Sequence, residues 1–114
     1  MPSQYMIVQY GNVMTGEYHS IGIFAYDMDP NATEVYTYFM PKFDRIYQVL
    51  GWDGDRILEG IVDHWLKTVV NQQQLQNIIK AQSPFSSLIV LEARISLDEP
   101  WQVIQWAKET FLAE

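Results

Sequence analysis

The strongest constraint in this sequence is an unbroken helical repeat of apolar residues between positions 57 and 70. Pairs of neighbouring apolar residues recur every four positions, so that successive apolar residues are one and three positions apart, which is the pattern of an α-helix. The repeat consists of Ile57, Leu58, Ile61, Val62, Trp65, Leu66, Val69 and Val70. At about 100° per residue these side chains cover an arc of roughly 220°, wider than the stripe of an ordinary surface helix. The repeat therefore predicts a helix that is covered from more than one direction.

Length and composition limit the domain count and the possible chemistry. A chain of 114 residues, of which 48% are hydrophobic, can bury one core and is too short for two, so we expect residues 1–114 to form a single domain. The absence of cysteine excludes disulfides, thiolate nucleophiles and cysteine-ligated metal sites. The six glycines lack the spacing of phosphate-binding loops. We predict no cofactor and no metal ion.

The charge of the chain indicates which partners it favours. With 14 acidic and 7 basic residues, its net charge is −7, and a surface of this sign repels nucleic-acid phosphates and anionic lipids. No two basic residues are adjacent, so we predict binding neither to nucleic acid nor to a membrane. An acidic surface mainly confers solubility, although it also favours a basic partner. Because the chain has no apolar stretch of about 18 residues and no leader sequence at its start, we predict a cytoplasmic protein.

The distribution of β-branched, apolar and turn-forming residues predicts an α+β fold with the element order β-β-β-α-α-α-β-α. Strands are expected at 5–14, 17–27 and 33–40, followed by a fourth strand at 88–95. Helices are expected at 41–50, 57–70, about 71–82, and from Pro100 onward. We expect an antiparallel sheet of about four strands, with the fourth strand beside the first and the helices packed mainly on one face.

Aromatic residues indicate where the sheet is covered and where it could bind a partner. Tyr36 and Tyr38 alternate on one face of the third strand, and exposed tyrosines are typical of protein interfaces. The strand at 17–27 is apolar on both faces, with Tyr18 and Phe24 predicted on one face and Ile21 on the other. If the helices cover only one face, the other is a contact surface for a protein partner or for a second copy in a homodimer. The side chains of the last helix predicted to face the core are Trp101, Ile104, Ala107 and Phe111.

The two histidines are the remaining candidates for chemistry. His19 follows Glu17 and precedes Ser20 on the second strand, whereas His64 lies on the long helix. Histidine is the side chain whose charge changes most readily near neutral pH, so convergence of Glu17, His19 and His64 would form a small catalytic or ligand-binding pocket. The separate pattern Asp27-x-Asp29-x-Asn31 begins like a calcium loop, but the later glycine and glutamate positions do not match, and we predict a turn there.

The segment Glu17-Tyr18-His19-Ser20-Ile21-Gly22-Ile23 resembles the Glu-aromatic-x-Asn-Val-Gly-Val strand of the DUF3037 domain family of bacterial proteins. The strand and Asp-x-Pro entry into the last helix, within 94–112, are also similar to that family. Ser20 stands where the family usually has Asn. The resemblance implies a bacterial, cytoplasmic α+β domain and implies no particular reaction. A glycine inside the strand, Gly22, also predicts a bulge or a close neighbour.

These observations lead to two hypotheses about function. The first is a small acidic, non-enzymatic protein-interaction or accessory module that binds a partner, or a second copy of itself, through an aromatic or acidic surface. Tyr36 and Tyr38 are its candidate binding residues. The alternative is a small enzyme or ligand-binding protein with a pocket around Glu17, His19 and His64, with Ser20 beside it. We predict no individual catalytic residue under either hypothesis.

Overall fold

The fold is a mixed α and β structure in which one open antiparallel sheet carries helices on its two faces. The computed structural model describes residues 2–12, 14–29, 31–50, 57–82, 87–110 and 112. Its strands are β1 Ser3–Asn12, β2 Glu17–Asp27, β3 Val35–Phe39, β4 Leu88–Val90 and β5 Arg94–Ser96. Its helices are α1 Asp44–Leu50, α2 Ile57–Thr68, α3 Gln72–Ala81 and α4 Pro100–Thr110. The predicted α+β class is confirmed.

The sheet has the strand order β3-β2-β1-β4, and β5 also pairs with β1. All of these pairings are antiparallel, which confirms the meander of the first three strands and the position of the fourth beside the first. The single strand expected at 88–95 is instead two short strands. β4 pairs with residues 8–10 of β1, and β5 pairs with residues 3–5 of β1.

The helices divide unequally between the two faces of the sheet. The larger core cluster contains side chains from α1, α2 and the α3 region, including Ile46, Leu58 and Leu75. The smaller cluster is formed by α4, through Val103 and Ala107, against the opposite face of β2. Most of the helices thus share one face, as predicted, and α4 covers the other. Because both faces of β2 are covered within one chain, its apolar character does not require a second copy.

A β-bulge in β2 changes which residues face which core. Val8 pairs with Gly22 and Gln9 pairs with Ser20, so Ile21 has no partner on β1. The bulge interrupts the simple alternation of side chains, and Ile21 packs in the same cluster as Phe24. The predicted placement of Ile21 on the opposite face from Phe24 is therefore wrong. Tyr18 pairs with Gly11 and lies on the face opposite Phe24, because the extra residue inverts the alternation. The bulge predicted from Gly22 is confirmed.

Helix α2 docks on the sheet through aromatic contacts. The ring of Trp65 lies 6.0 Å from that of Phe24 and 6.3 Å from that of Phe39, measured between centroids. Leu66 and Val70, which belong to the same apolar repeat, are about half exposed. The described chain thus covers α2 on fewer sides than the repeat predicts. No helix in the described part of the chain is both long and apolar enough to cross a membrane.

The start of α3 provides a test of local stability. Asn71 has an extended backbone, and its side-chain oxygen accepts a hydrogen bond from the Gln74 amide at 3.0 Å, which caps the helix. Asn71→Ala is expected to lower the free energy of unfolding by about 1 kcal/mol, because the amide loses its acceptor. Urea denaturation of Asn71→Ala and Asn71→Asp gives the measurement. Equal losses in the two variants would contradict a capping role, because aspartate keeps the acceptor.

Burial of Tyr26 makes stability depend on alkaline pH. Its hydroxyl donates a hydrogen bond to Gln4 Oε1 at 2.6 Å, and desolvation raises its pKa above the ordinary value of 10.0. As pH rises, the Tyr26 hydroxyl of the unfolded chain loses its proton near pH 10, whereas that of the folded chain loses it at higher pH. The contribution of the protonated Tyr26 hydroxyl to stability is therefore present below pH 10 and is lost as pH rises toward the folded-state pKa.

We therefore expect Tyr26→Phe to flatten the alkaline part of the stability curve. Urea denaturation from pH 7 to 11 measures the effect, and Tyr36→Phe, at an exposed tyrosine, is the control. At neutral pH the Tyr26→Phe variant should be about 1 kcal/mol less stable, because the hydrogen bond to Gln4 is lost. Parallel stability curves for the wild type and Tyr26→Phe would exclude this linkage.

Candidate functional site

The candidate residues Glu17, His19 and Ser20 lie in the first half of β2, before the part of the strand that pairs with β3. The turn that precedes them ends at Gly16, whose positive φ of 74° is a conformation that glycine adopts without strain. Its amide donates a hydrogen bond to the Asn12 carbonyl at 2.8 Å, which closes the turn. This end of the hairpin is therefore held by its own backbone bonds.

Glu17 and His19 form a direct side-chain contact. Glu17 Oε1 lies 3.1 Å from His19 Nε2, and both side chains are partly exposed. An ionised carboxylate can only accept a hydrogen bond, so Nε2 is the donor when this contact is a hydrogen bond to the ionised form of Glu17. The structure thus brings together two of the three residues that the pocket hypothesis requires.

A cavity of about 550 Å³ opens beside this part of β2. We call it the β2–α1 cavity. On the sheet side it is lined by Gln9, Tyr18, His19 and Ser20, and on the other side by Met40, Lys42, Asp44, Arg45, Ile46 and Val49. Its volume is within the range of small-molecule sites, about 300–1,000 Å³. Glu17 is not among the lining residues and contacts the site through His19.

The charge of the β2–α1 cavity differs from that of the protein. Lys42 and Arg45 carry two positive charges and Asp44 carries one negative charge, so the described lining has a formal charge of +1, whereas the whole chain has −7. The sequence predicts no basic patch, because these residues are not adjacent. They also lie more than twenty positions from His19, and no local pattern in the sequence links α1 to the start of β2.

His64 is not part of this cavity. It is an exposed residue of α2 and lines a separate depression of about 190 Å³ between α2 and α3, together with Thr68, Gln74 and Asn77. The Thr68 hydroxyl donates a hydrogen bond to the His64 carbonyl at 2.9 Å, which is a contact within the helix. The structure therefore does not bring His64 together with Glu17 and His19.

Tyr36 and Tyr38 lie on β3, at one edge of the sheet, and have different environments. Tyr38 is partly buried against α4, and the Lys108 ammonium lies 4.7 Å from its ring centroid. Tyr36 is exposed. The predicted pair of exposed tyrosines is thus reduced to one, because α4 covers the ring of Tyr38.

Among the described residues, the largest exposed aromatic side chains are on the segment from β5 to α4. We define the β5–α4 surface as four side chains, with exposed fractions of 64% for Ile95, 88% for Leu97, 60% for Trp101 and 42% for Trp106. The core-facing side of α4 contains Pro100, Val103 and Ala107, and Ile104 is partly buried against the same cluster, which confirms the prediction for Ile104 and Ala107. The prediction that Trp101 faces the core is wrong, and Phe111 lies outside the described residues. The apolar residues of this helix cover an arc of roughly 220°, which is wider than the side that is buried, so periodicity alone could not identify the buried stripe.

The turn after β2 uses its acidic side chains for local hydrogen bonds. Asp27 Oδ1 accepts a bond from the Asp29 amide at 2.8 Å, and Asp29 Oδ1 accepts one from the Asn31 amide at 2.9 Å. These are the hydrogen bonds of Asx turns, which agrees with the predicted turn. Within the described ranges, no three histidine, aspartate or glutamate side chains are placed to hold a metal ion together.

Comparison of the chain with protein-family models, curated proteins and solved structures gave no significant match.

Proposed function

We propose that this protein is a non-enzymatic interaction module that binds a basic protein partner through the β5–α4 surface. The observation that carries the proposal is the exposure of Leu97, Trp101 and Trp106 within one short segment. Tryptophan is enriched among the residues that dominate binding energy at protein interfaces. Exposed apolar area of this kind is unfavourable in water, and contact with a partner removes it from water.

The β5–α4 surface is held in position before any partner binds. Trp106 packs edge to face against Tyr5, with 5.7 Å between ring centroids. The Asp98 carbonyl accepts a hydrogen bond at 2.8 Å from the hydroxyl of Ser3, a fully buried residue of β1. The Glu99 amide donates to Gln102 Oε1 at 2.9 Å in the first turn of α4. A surface with this support loses little conformational freedom on binding.

Charge selects the class of partner. The acidic residues of this segment are Asp98, Glu99 and Glu109, and its basic residues are Arg94 and Lys108, of which Lys108 already lies over Tyr38. Two copies of a chain with a net charge of −7 repel each other, whereas a basic partner is attracted. A basic protein whose contact surface has an apolar centre is therefore a better partner for the β5–α4 surface than a second copy of this chain.

The decisive experiment compares two matched double variants in affinity capture from a bacterial lysate, with quantitative mass spectrometry. Trp101→Ser/Trp106→Ser removes the aromatic part of the surface, and Leu66→Ser/Val70→Ser removes two similarly exposed side chains of the α2 region. We expect a basic protein to be captured by the wild type and the control and lost with the tryptophan variant. Calorimetry with that purified protein should then show binding that weakens as salt increases.

Two results would overturn the proposal. Capture of the same proteins by the wild type and the tryptophan variant would exclude this surface as the binding site. A dimer mass in light scattering that becomes a monomer mass in the tryptophan variant would identify a second copy as the occupant. Membership of the DUF3037 family, with a bacterial and cytoplasmic origin, is part of the same proposal and rests on the segments 17–23 and 94–112.

A further inference from the structure

We infer that the β2–α1 cavity binds a small organic anion, with its carboxylate or phosphate group at Lys42 and Arg45 and its apolar part against Ile46 and Val49. This site is separate from the β5–α4 surface and does not depend on the function proposed for that surface. Its volume of about 550 Å³ accommodates a small molecule.

The cationic side chains support an anionic ligand. Lys42 and Arg45 are two of the seven lysine and arginine residues in the chain, and both line this cavity although they come from a strongly acidic protein. A guanidinium group binds carboxylate and phosphate oxygens through paired N–H groups, and an ammonium group adds a point charge. A concave site concentrates the field of such charges, which raises the local concentration of anions.

The sheet side of the cavity supplies neutral polar groups. Ser20 and Gln9 line it and carry hydrogen-bond donors and acceptors of the kind that fix a ligand's orientation. His19 also lines it, and its Nε2 lies 3.1 Å from Glu17 Oε1.

The α1 side supplies the apolar contact. Ile46 is buried below the cavity, whereas Val49 is about half exposed at α1. A ligand with an aromatic or aliphatic body would cover Val49 and remove apolar area from water. The combination of a cationic part and an apolar part distinguishes an organic anion from a simple inorganic ion.

The test uses defined probes: benzoate, phenyl phosphate, inorganic phosphate and uncharged benzyl alcohol, each titrated into ¹⁵N-labelled full-length protein and followed by NMR. We expect saturable shifts of the amides of Ser20, Lys42 and Arg45 with benzoate or phenyl phosphate, and weaker binding of the other two probes. The relative affinities of benzoate and phenyl phosphate distinguish a carboxylate from a phosphate site.

Matched variants separate a specific site from a general charge effect. Lys42→Gln/Arg45→Gln should weaken binding about tenfold or more, because charge-assisted hydrogen bonds are lost. Lys67→Gln/Lys80→Gln changes the net charge equally but involves exposed residues of α2 and α3, and it should leave the affinity unchanged. The Trp101→Ser/Trp106→Ser variant should also bind like the wild type, so this inference and the proposed function fail separately. Two results would overturn the inference. One is the absence of saturable shifts with every probe, and the other is an equal loss of affinity in Lys42→Gln/Arg45→Gln and in Lys67→Gln/Lys80→Gln.

Discussion

Phe24→Ala is expected to lower the free energy of unfolding by about 3–5 kcal/mol, the largest loss of any single substitution considered. Phe24 is fully buried, and its ring centroid lies 5.8 Å from that of Phe39 and 6.0 Å from that of Trp65. These three rings join β2, β3 and α2. Removing the central ring loses its transfer free energy and leaves a cavity that the remaining two rings cannot fill without moving.

Urea denaturation of the wild type and Phe24→Ala measures this loss, and Trp101→Ala is the control. Trp101 is a larger aromatic residue but is 60% exposed, so its replacement should change stability by only about 0.5 kcal/mol. A loss below about 1.5 kcal/mol for Phe24→Ala would contradict the aromatic contact between α2 and the sheet. The same control shows whether α4 folds normally when the β5–α4 surface is altered.

Gly22→Ala is expected to lower the free energy of unfolding by about 1–3 kcal/mol, because the site has no room for a methyl group. A Cβ atom built at Gly22 would lie 2.3 Å from the Phe39 ring, which is far inside van der Waals contact. Phe39 is itself buried and packs against Phe24 and Trp65, so it cannot move away without disturbing the same aromatic contact.

Gly60→Ala is the matched control for Gly22→Ala. Gly60 lies in α2, and a Cβ atom built there meets no neighbouring atom within 4 Å. Alanine has the higher helix propensity, so this variant should be more stable than the wild type by about 0.5–1 kcal/mol. The same chemical change therefore has opposite expected signs at the two positions. Thermal denaturation of both variants tests this directly, and stabilisation by Gly22→Ala would disprove the close approach to Phe39.

Local sequence patterns predicted the elements well. The apolar repeat at 57–70 corresponds to α2, Ile57–Thr68, and the strand composition at 17–27 corresponds to β2, Glu17–Asp27. These predictions succeed because helical and strand periods are properties of consecutive residues. The division of the expected last strand into β4 and β5 could not be predicted, because polar and apolar residues alternate from Glu92 to Ile95 as they do in a strand, and the break depends on pairing with β1.

The candidate sites were predicted less well than the elements. Glu17, His19 and Ser20 were identified from their closeness in sequence; His19 and Ser20 line a cavity, and Glu17 contacts His19. Lys42 and Arg45 were missed because they reach this cavity only through the packing of α1 near β2. The exposure of Trp101 was missed for a related reason. The apolar residues of its helix cover roughly 220° of the circumference, and only docking on the sheet selects which of them are buried.

The sequence by itself determined the α+β class, the hairpin, the helical segments and the acidic charge, because composition and short-range periodicity suffice for these properties. The tertiary structure alone decided that Ile21 bulges toward the larger core, that α4 turns its tryptophans outward, and that Lys42 and Arg45 line a cavity at the start of β2. Each of these outcomes depends on contacts between residues distant in the chain. The free energy gained by burying a side chain depends on all the residues that contact it, and a consecutive stretch of sequence does not specify those contacts.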